Sequence, residues 1–164
     1  MNSETLPYSK IMPVVFYRIK SVLSGLFVCP SGKSSGSGLV QKPDPSNGTD
    51  QTFWWGFSHE KGPDGTFDGG STYRIFNAYS GFSAAAKDNK PSNGTHLLQH
   101  QWEHDDEKQL WVWVTPLRII GSYTNQTYVW DVTHGSTSSG AHIELYTQRD
   151  GSENQQWILV PVAK

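Results

Sequence analysis

The side chains with the most chemical capacity in this chain gather towards its carboxy-terminal end. Asp131 stands twelve residues before Ile143; Glu144, Tyr146, Asn154 and Gln155 follow, and His134 lies just beyond the aspartate. A carboxylate can accept two hydrogen bonds at once, an asparagine amide both donates and accepts, and a phenol presents a flat apolar face. Each also has an ordinary use: aspartate accepts from turns, tyrosine packs at surfaces, asparagine caps loops. Taken one at a time they point no further, and the upstream stretches carry only part of the set. In a middle stretch His100 and Gln109 hold matching positions, while Ala85 replaces the aspartate and Lys108 the asparagine. In the first stretch Phe27 takes the aspartate's place and Lys42 the tyrosine's, while Asp50 and Gln51 remain.

Other reactive groups point to less. His100, His104, Asp105 and Asp106 fall in HQWEHDDEK, whose spacing fits no standard metal site and reads as a solvated loop. Asp64 and Asp68 in KGPDGTFDGG lack the further ligands a cation loop needs. No Ser–His–Asp arrangement stands out, and Cys29 beside Val28 reads as an inert thiol. The expectation is a non-catalytic chain with no cofactor and no metal.

The elements that must position these residues repeat three times. A glycine precedes an aliphatic residue by three positions at Gly36–Leu39, Gly94–Leu97 and Gly140–Ile143. Fourteen residues after each aliphatic comes the aromatic of a Gln-x-aromatic pair: Gln51–Phe53, Gln109–Trp111 and Gln155–Trp157. Arg-Ile also comes three times, at Arg18, Arg74 and Arg118. Between these signatures lie short apolar runs and Gly/Ser/Asn loops, so each repeat reads as four strands. One such unit cannot bury its apolar face alone; three can share a core by closing about an axis. The boundaries are a tail at 1–12 and one domain at 13–164, with repeats at about 13–71, 72–115 and 116–164. The first repeat is longest, and most of the excess lies in a surface excursion from His59 to Ser71.

Bulk properties agree. Hydrophobic content of 35% and charged content of 17%, with Gly 16 and Pro 9, suit many short strands joined by turns. A net charge of −2 gives no footprint for nucleic acid. A single cysteine excludes an internal disulfide and makes a reducing compartment the easier reading. The opening MNSETLPYSK has no basic region leading into an apolar run, and Arg18 and Lys20 interrupt Val14–Val28. No secretory signal or membrane span is expected, and the expected location is cytoplasmic. The N-x-Thr sequences at Asn47, Asn93 and Asn125 then read as loop asparagines.

Together, the threefold Gln-x-aromatic and Gly-x-x-aliphatic signatures resemble the ricin-B-type (R-type) β-trefoil lectin family over about residues 13–164. The resemblance implies an all-β β-trefoil: twelve strands in three pseudo-symmetric repeats. It implies a sugar site built from an Asp on the second strand, a polar residue and an aromatic on the third, and an Asn-Gln pair before the buried Trp. In the third repeat these are Asp131, Glu144, Tyr146, Asn154 and Gln155. Asp131 would accept from two vicinal hydroxyls, Tyr146 would stack on a galactose-like C–H face, and Asn154 would bond one hydroxyl. Gln155 would brace Asp131 and His134 would close over the ligand. His100 and Gln109 mark a secondary site without its anchor, and the first copy is expected to have lost its site. The partners implied are galactose- or N-acetylgalactosamine-terminated glycans, with a homodimer supplying avidity. A location without a signal peptide is similar to fungal fruiting-body lectins and suggests defence. Two rival readings are a trefoil protease inhibitor acting through the 59–71 loop and a sugar-independent protein-interaction module.

Overall fold

The computed structural model describes residues 14–60, 72–88, 90–103 and 106–162. The expected tail, most of the 59–71 excursion with Asp64 and Asp68, and His104 and Asp105 lie outside the described residues.

Each repeat contributes four strands. The first holds β1 (Val15–Ser21), β2 (Phe27–Pro30), β3 (Leu39–Lys42) and β4 (Trp55–His59). The second holds β5 (Thr72–Asn77), β6 (Ser83–Ala86), β7 (Thr95–His100) and β8 (Leu110–Val114). The third holds β9 (Ile119–Ser122), β10 (Tyr128–Val132), β11 (Ile143–Thr147) and β12 (Trp157–Pro161). The first and fourth strands of the repeats form a barrel in the order β12–β1–β4–β5–β8–β9. Its last seam carries a bond from the Trp157 N–H to the Arg118 carbonyl at 2.9 Å. The remaining strands form the hairpins β2–β3, β6–β7 and β10–β11. All-antiparallel pairing with closure is the expected solution for strands with one apolar face and no helix to cover them.

The three hairpins meet about the pseudo-threefold axis, and the glycine signature explains how. Gly36, Gly94 and Gly140 have φ of 96°, 89° and 91°. That left-handed region is costly for a residue with a Cβ. The turn aims each glycine N–H at another repeat's third strand: Gly36 at Gln99 O (2.7 Å), Gly94 at Leu145 O (2.9 Å), Gly140 at Gln41 O (2.7 Å). Gln41 and Gln99 lock the same junctions through their side chains. The Gln41 amide donates to Ser136 O and Ser138 O, and the Gln99 amide to Gly32 O and Ser34 O.

The core is a layer of indoles. Trp55, Trp111 and Trp157 are fully buried and each donates its ring N–H to its own repeat's second strand. The acceptors are Val28 O (3.0 Å), Ala84 O (2.9 Å) and Trp130 O (3.3 Å). Trp130 occupies the level that Val28 and Ala84 occupy elsewhere, and fills the axis edge-on against Trp111 at 5.4 Å and Trp157 at 6.4 Å. Each buried side chain of this size stabilises by roughly 2–3 kcal/mol.

This geometry corrects the reading of the first copy. The aromatic equivalent to Trp111 and Trp157 is Trp55, not Phe53. Gln51–Phe53 forms a 3-10 turn ahead of β4, as Glu107–Gln109 and Glu153–Gln155 do ahead of β8 and β12. Strand register pairs Cys29 with Val40, Ala85 with Leu98 and Asp131 with Glu144. The aspartate's position in the first copy is therefore Cys29 and not Phe27. The third Arg-Ile pair is also out of step: Ile120 lies level with Ile19 and Ile75, and Arg118 sits in an exposed turn at φ 57°.

Candidate functional site

Asp131 and Glu144 are directly opposite each other on β10 and β11, so their side chains leave the hairpin on one face. Tyr146 lies two residues further along β11, opposite Val129, and shares that face. The side chains of Asp131 and Tyr146 therefore converge. Asp131 is only 2% exposed. Its Oδ2 accepts from the Gln155 amide at 2.8 Å and from the Arg149 guanidinium at 3.5 Å. Burial pushes the Asp131 carboxyl up to about 6, and the negative charge of Glu144 adds to the rise. The Gln155 amide, Arg149 and the Asn154 amide pull the other way. A carboxylate so placed is desolvated and oriented before any ligand arrives, and its other oxygen is uncommitted to these two donors.

Gln155 is a brace. Its Oε1 accepts from the Arg149 N–H at 2.8 Å, while its Nε2 donates to Thr147 O at 3.0 Å as well as to Asp131. Asn154 is 7% exposed, donates to Val132 O at 3.2 Å and accepts from the Ser152 hydroxyl. The 3-10 turn before β12 thus places two amides behind the carboxylate and ties both β10 and the end of β11 to it. His134 is exposed on the 3-10 turn Thr133–Gly135 that follows β10 and holds φ 55°. That is an uncommon conformation for a residue with a side chain, of the kind that gathers at functional loops.

Arg149 belongs to no motif that marks it in the sequence. Its guanidinium lies 5.0 Å from the centroid of the Tyr146 ring while it reaches Asp131. Its side chain is half exposed. It therefore covers the apolar ring face and the carboxylate together, held by a cation–π contact and a long ion pair that are each weak at a wet surface. One signal was available: the equivalent loop positions in the other copies are Glu103 and Pro45, so a cation occurs there only in the third.

The second repeat keeps the brace and lacks the anchor. Gln109 donates to Gln101 O at 2.8 Å and accepts from the Glu103 N–H at 3.2 Å, the bonds Gln155 makes to Thr147 and Arg149. Where Asp131 would stand there is Ala85, 2% exposed. The Gln109 carbonyl is taken by the guanidinium of Arg74, a cation 3% exposed with Glu60 at 3.7 Å. Burial lowers the Arg74 pKa from its usual value. His100 contacts Gln101 O at 3.0 Å and the Glu103 carboxylate at 3.2 Å. The structure places His100 and Gln109 around one loop, with no carboxylate behind them at the Ala85 position.

Among the described residues no group of three or more His, Cys, Asp or Glu could hold a metal ion, and no helix is long and apolar enough to cross a membrane. The sole cysteine, Cys29, is buried, and burial raises its thiol to about 11, which leaves it unreactive at neutral pH.

Comparison with known proteins bears on the fold and the family. The designed threefold-symmetric protein ThreeFoil superposes with a TM-score of 0.75 at 21% identity, covering 88% of this chain and 97% of that one. The earthworm R-type lectin C-half in complex with GalNAc gives 0.66 at 19%, covering 90% and 98%. The Rhizoctonia solani agglutinin gives 0.70 at 13%, covering 92% and 96%. No curated protein matches in sequence. These likenesses show the β-trefoil fold. The family described as ricin-type beta-trefoil lectin domain-like matches residues 55–146, more than half the chain. With three indole-centred repeats closed by the glycine turns of its hairpins, the chain belongs to the ricin-type β-trefoil lectin domain-like family.

Proposed function

We propose that this protein is a non-catalytic lectin whose third repeat takes a terminal galactose or N-acetylgalactosamine residue. One observation carries the reading: a pre-oriented, nearly buried carboxylate, Asp131, shares a face with the ring of Tyr146 and is braced by Gln155. The Asp131 carboxylate accepts from vicinal hydroxyls, Tyr146 stacks on the sugar's C–H face once Arg149 lifts, and Glu144 and His134 border the ligand. Asn154, which donates to Val132 O and accepts from the Ser152 hydroxyl, supports the carboxylate from behind. The GalNAc complex of the earthworm neighbour supports this choice of sugar.

A hydroxyl grip and one stacking ring give roughly millimolar monosaccharide affinity, near −4 kcal/mol. Avidity then calls for a second site, and a homodimer would supply one. A role on glycan-bearing targets after release from the cytoplasm fits such avidity. The test is a glycan array with the wild type and Asp131→Ala. Signal on galactose- or GalNAc-terminated glycans that disappears in a folded variant supports the proposal. Equal signal from both proteins removes it.

A further inference from the structure

A cavity of about 340 Å³ lies across the junction of the first two repeats. That is within the range of small-ligand pockets, about 300–1,000 Å³. It stands where the third repeat carries its own site, with the polarity inverted. Register puts Cys29 at the level of Asp131, Val40 at that of Glu144 and Lys42 at that of Tyr146. Both carboxylates are gone, and two exposed cations, Lys33 and Lys42, line the cavity instead.

The aromatic comes from the neighbouring repeat. Tyr79 lines the same cavity, is 54% exposed, and has the Lys33 ammonium 5.8 Å from its ring centroid. Its turn is not loose. Asn77, 1% exposed, accepts from the N–H groups of Tyr79 (3.0 Å) and Ser80 (3.1 Å) and donates to Thr52 O at 2.8 Å. The tyrosine is thus fastened to the first repeat's wall. Asp50 commits one oxygen to the Thr52 N–H and hydroxyl, at 2.9 and 2.8 Å, and keeps the other as an acceptor.

A stacking ring, two ammonium groups and one spare carboxylate oxygen describe a ligand with an apolar face, an anion and a hydroxyl. We propose that this cavity binds an acidic sugar, a pyranose bearing a carboxylate or a sulfate ester. Its C–H face lies on Tyr79, its anion is held by Lys33 and Lys42, and a hydroxyl bonds Asp50. The site is separate from that of Asp131 and does not depend on it.

The test is calorimetric titration of the full chain with glucuronic acid, galactose 6-sulfate, galactose and inorganic sulfate. The proteins are wild type, Asp131→Ala, the Lys33→Ala/Lys42→Ala double variant and Tyr79→Ala; both lysines and the tyrosine are exposed, so these variants retain the core. An acidic sugar should bind Asp131→Ala as it binds wild type, and should lose tenfold or more in the double lysine variant and in Tyr79→Ala. Binding should also weaken several-fold as salt rises. A response to only one of the two acidic sugars identifies the anion and supports the site. The proposal is overturned if neither binds, if lysine removal changes nothing, if Asp131→Ala abolishes the acidic-sugar signal, or if inorganic sulfate binds as tightly as the sulfated sugar. Galactose binding, lost in Asp131→Ala and kept in the lysine variant, reports separately on the third repeat.

Discussion

Asp131→Asn should make the protein more stable and a poorer binder at the same time. The side chain is 2% exposed and its carboxyl is pushed up to about 6 by burial, against about 3.9 in an unfolded chain. Between those values the folded state binds more protons than the unfolded one. The stabilising contribution of the group is therefore complete below pH ~4 and is lost as pH rises through 6. A rise of that size corresponds to about 3 kcal/mol, the cost of holding Asp131 ionised in the fold at pH 7. Asparagine keeps the shape and an acceptor for the Gln155 amide without the charge. The variant should match wild type near pH 4 and exceed it by up to about 3 kcal/mol at pH 7, with the gap opening between. Urea unfolding of both proteins over a series of closely spaced pH values measures that difference directly, and other carboxylates cancel. Binding moves the opposite way: a charge-assisted hydroxyl bond is worth about 1.5–3 kcal/mol, so galactose affinity should fall about 10- to 150-fold. A variant less stable than wild type at pH 7, or a gap that does not close towards pH 4, would refute the reasoning that burial governs this carboxyl.

Further outcomes follow from the same geometry. Galactose binding by the wild type should weaken as pH drops through about 6, where Asp131 takes up its proton, in a fluorescence or calorimetric titration. Arg149→Ala uncovers the Tyr146 ring and should raise galactose affinity a few-fold by calorimetry; reduced affinity would mean that the guanidinium contacts the sugar. Gln155→Ala and Gln109→Ala remove equivalent braces and should each cost about 1–3 kcal/mol in thermal or chemical unfolding. Only Gln155→Ala should reduce galactose binding, since Gln109 has no carboxylate to hold. Trp157→Ala opens a cavity under the axis and should cost about 3–5 kcal/mol, read from the urea midpoint.

The fold was legible because its constraints are local and repeated. A glycine with positive φ, an aliphatic three residues on and an indole at the start of the fourth strand mark each closure of the trefoil. The internal register of the first copy was not legible. Cys29 lies two residues nearer to Leu39 than Asp131's spacing to Ile143 implies, and Trp55 lies two residues further from it than Trp157 from Ile143. The two changes offset each other, and Phe53 falls at the expected spacing by coincidence. Arg118 followed a similar path, since a turn shifted by one residue leaves the dipeptide intact and moves the buried isoleucine to Ile120. That Asp131, Glu144 and Tyr146 share a face was legible, because strand alternation fixes which residues point the same way. Arg149 was not, because a long side chain folding back over a ring depends on loop packing and no periodicity encodes it. The cavity beside Tyr79 was hidden for the same reason: its aromatic and its cations come from different repeats.

The central claim is that Asp131 and Tyr146 form one sugar-binding face in the third repeat. An NMR titration with N-acetylgalactosamine on the isotope-labelled chain tests it most directly. The account predicts saturable shifts in the backbone amides of Asp131, Glu144, Tyr146, Arg149 and Asn154, absent in Asp131→Ala. Shifts confined to the first or second repeat, or none up to high millimolar sugar, would contradict it.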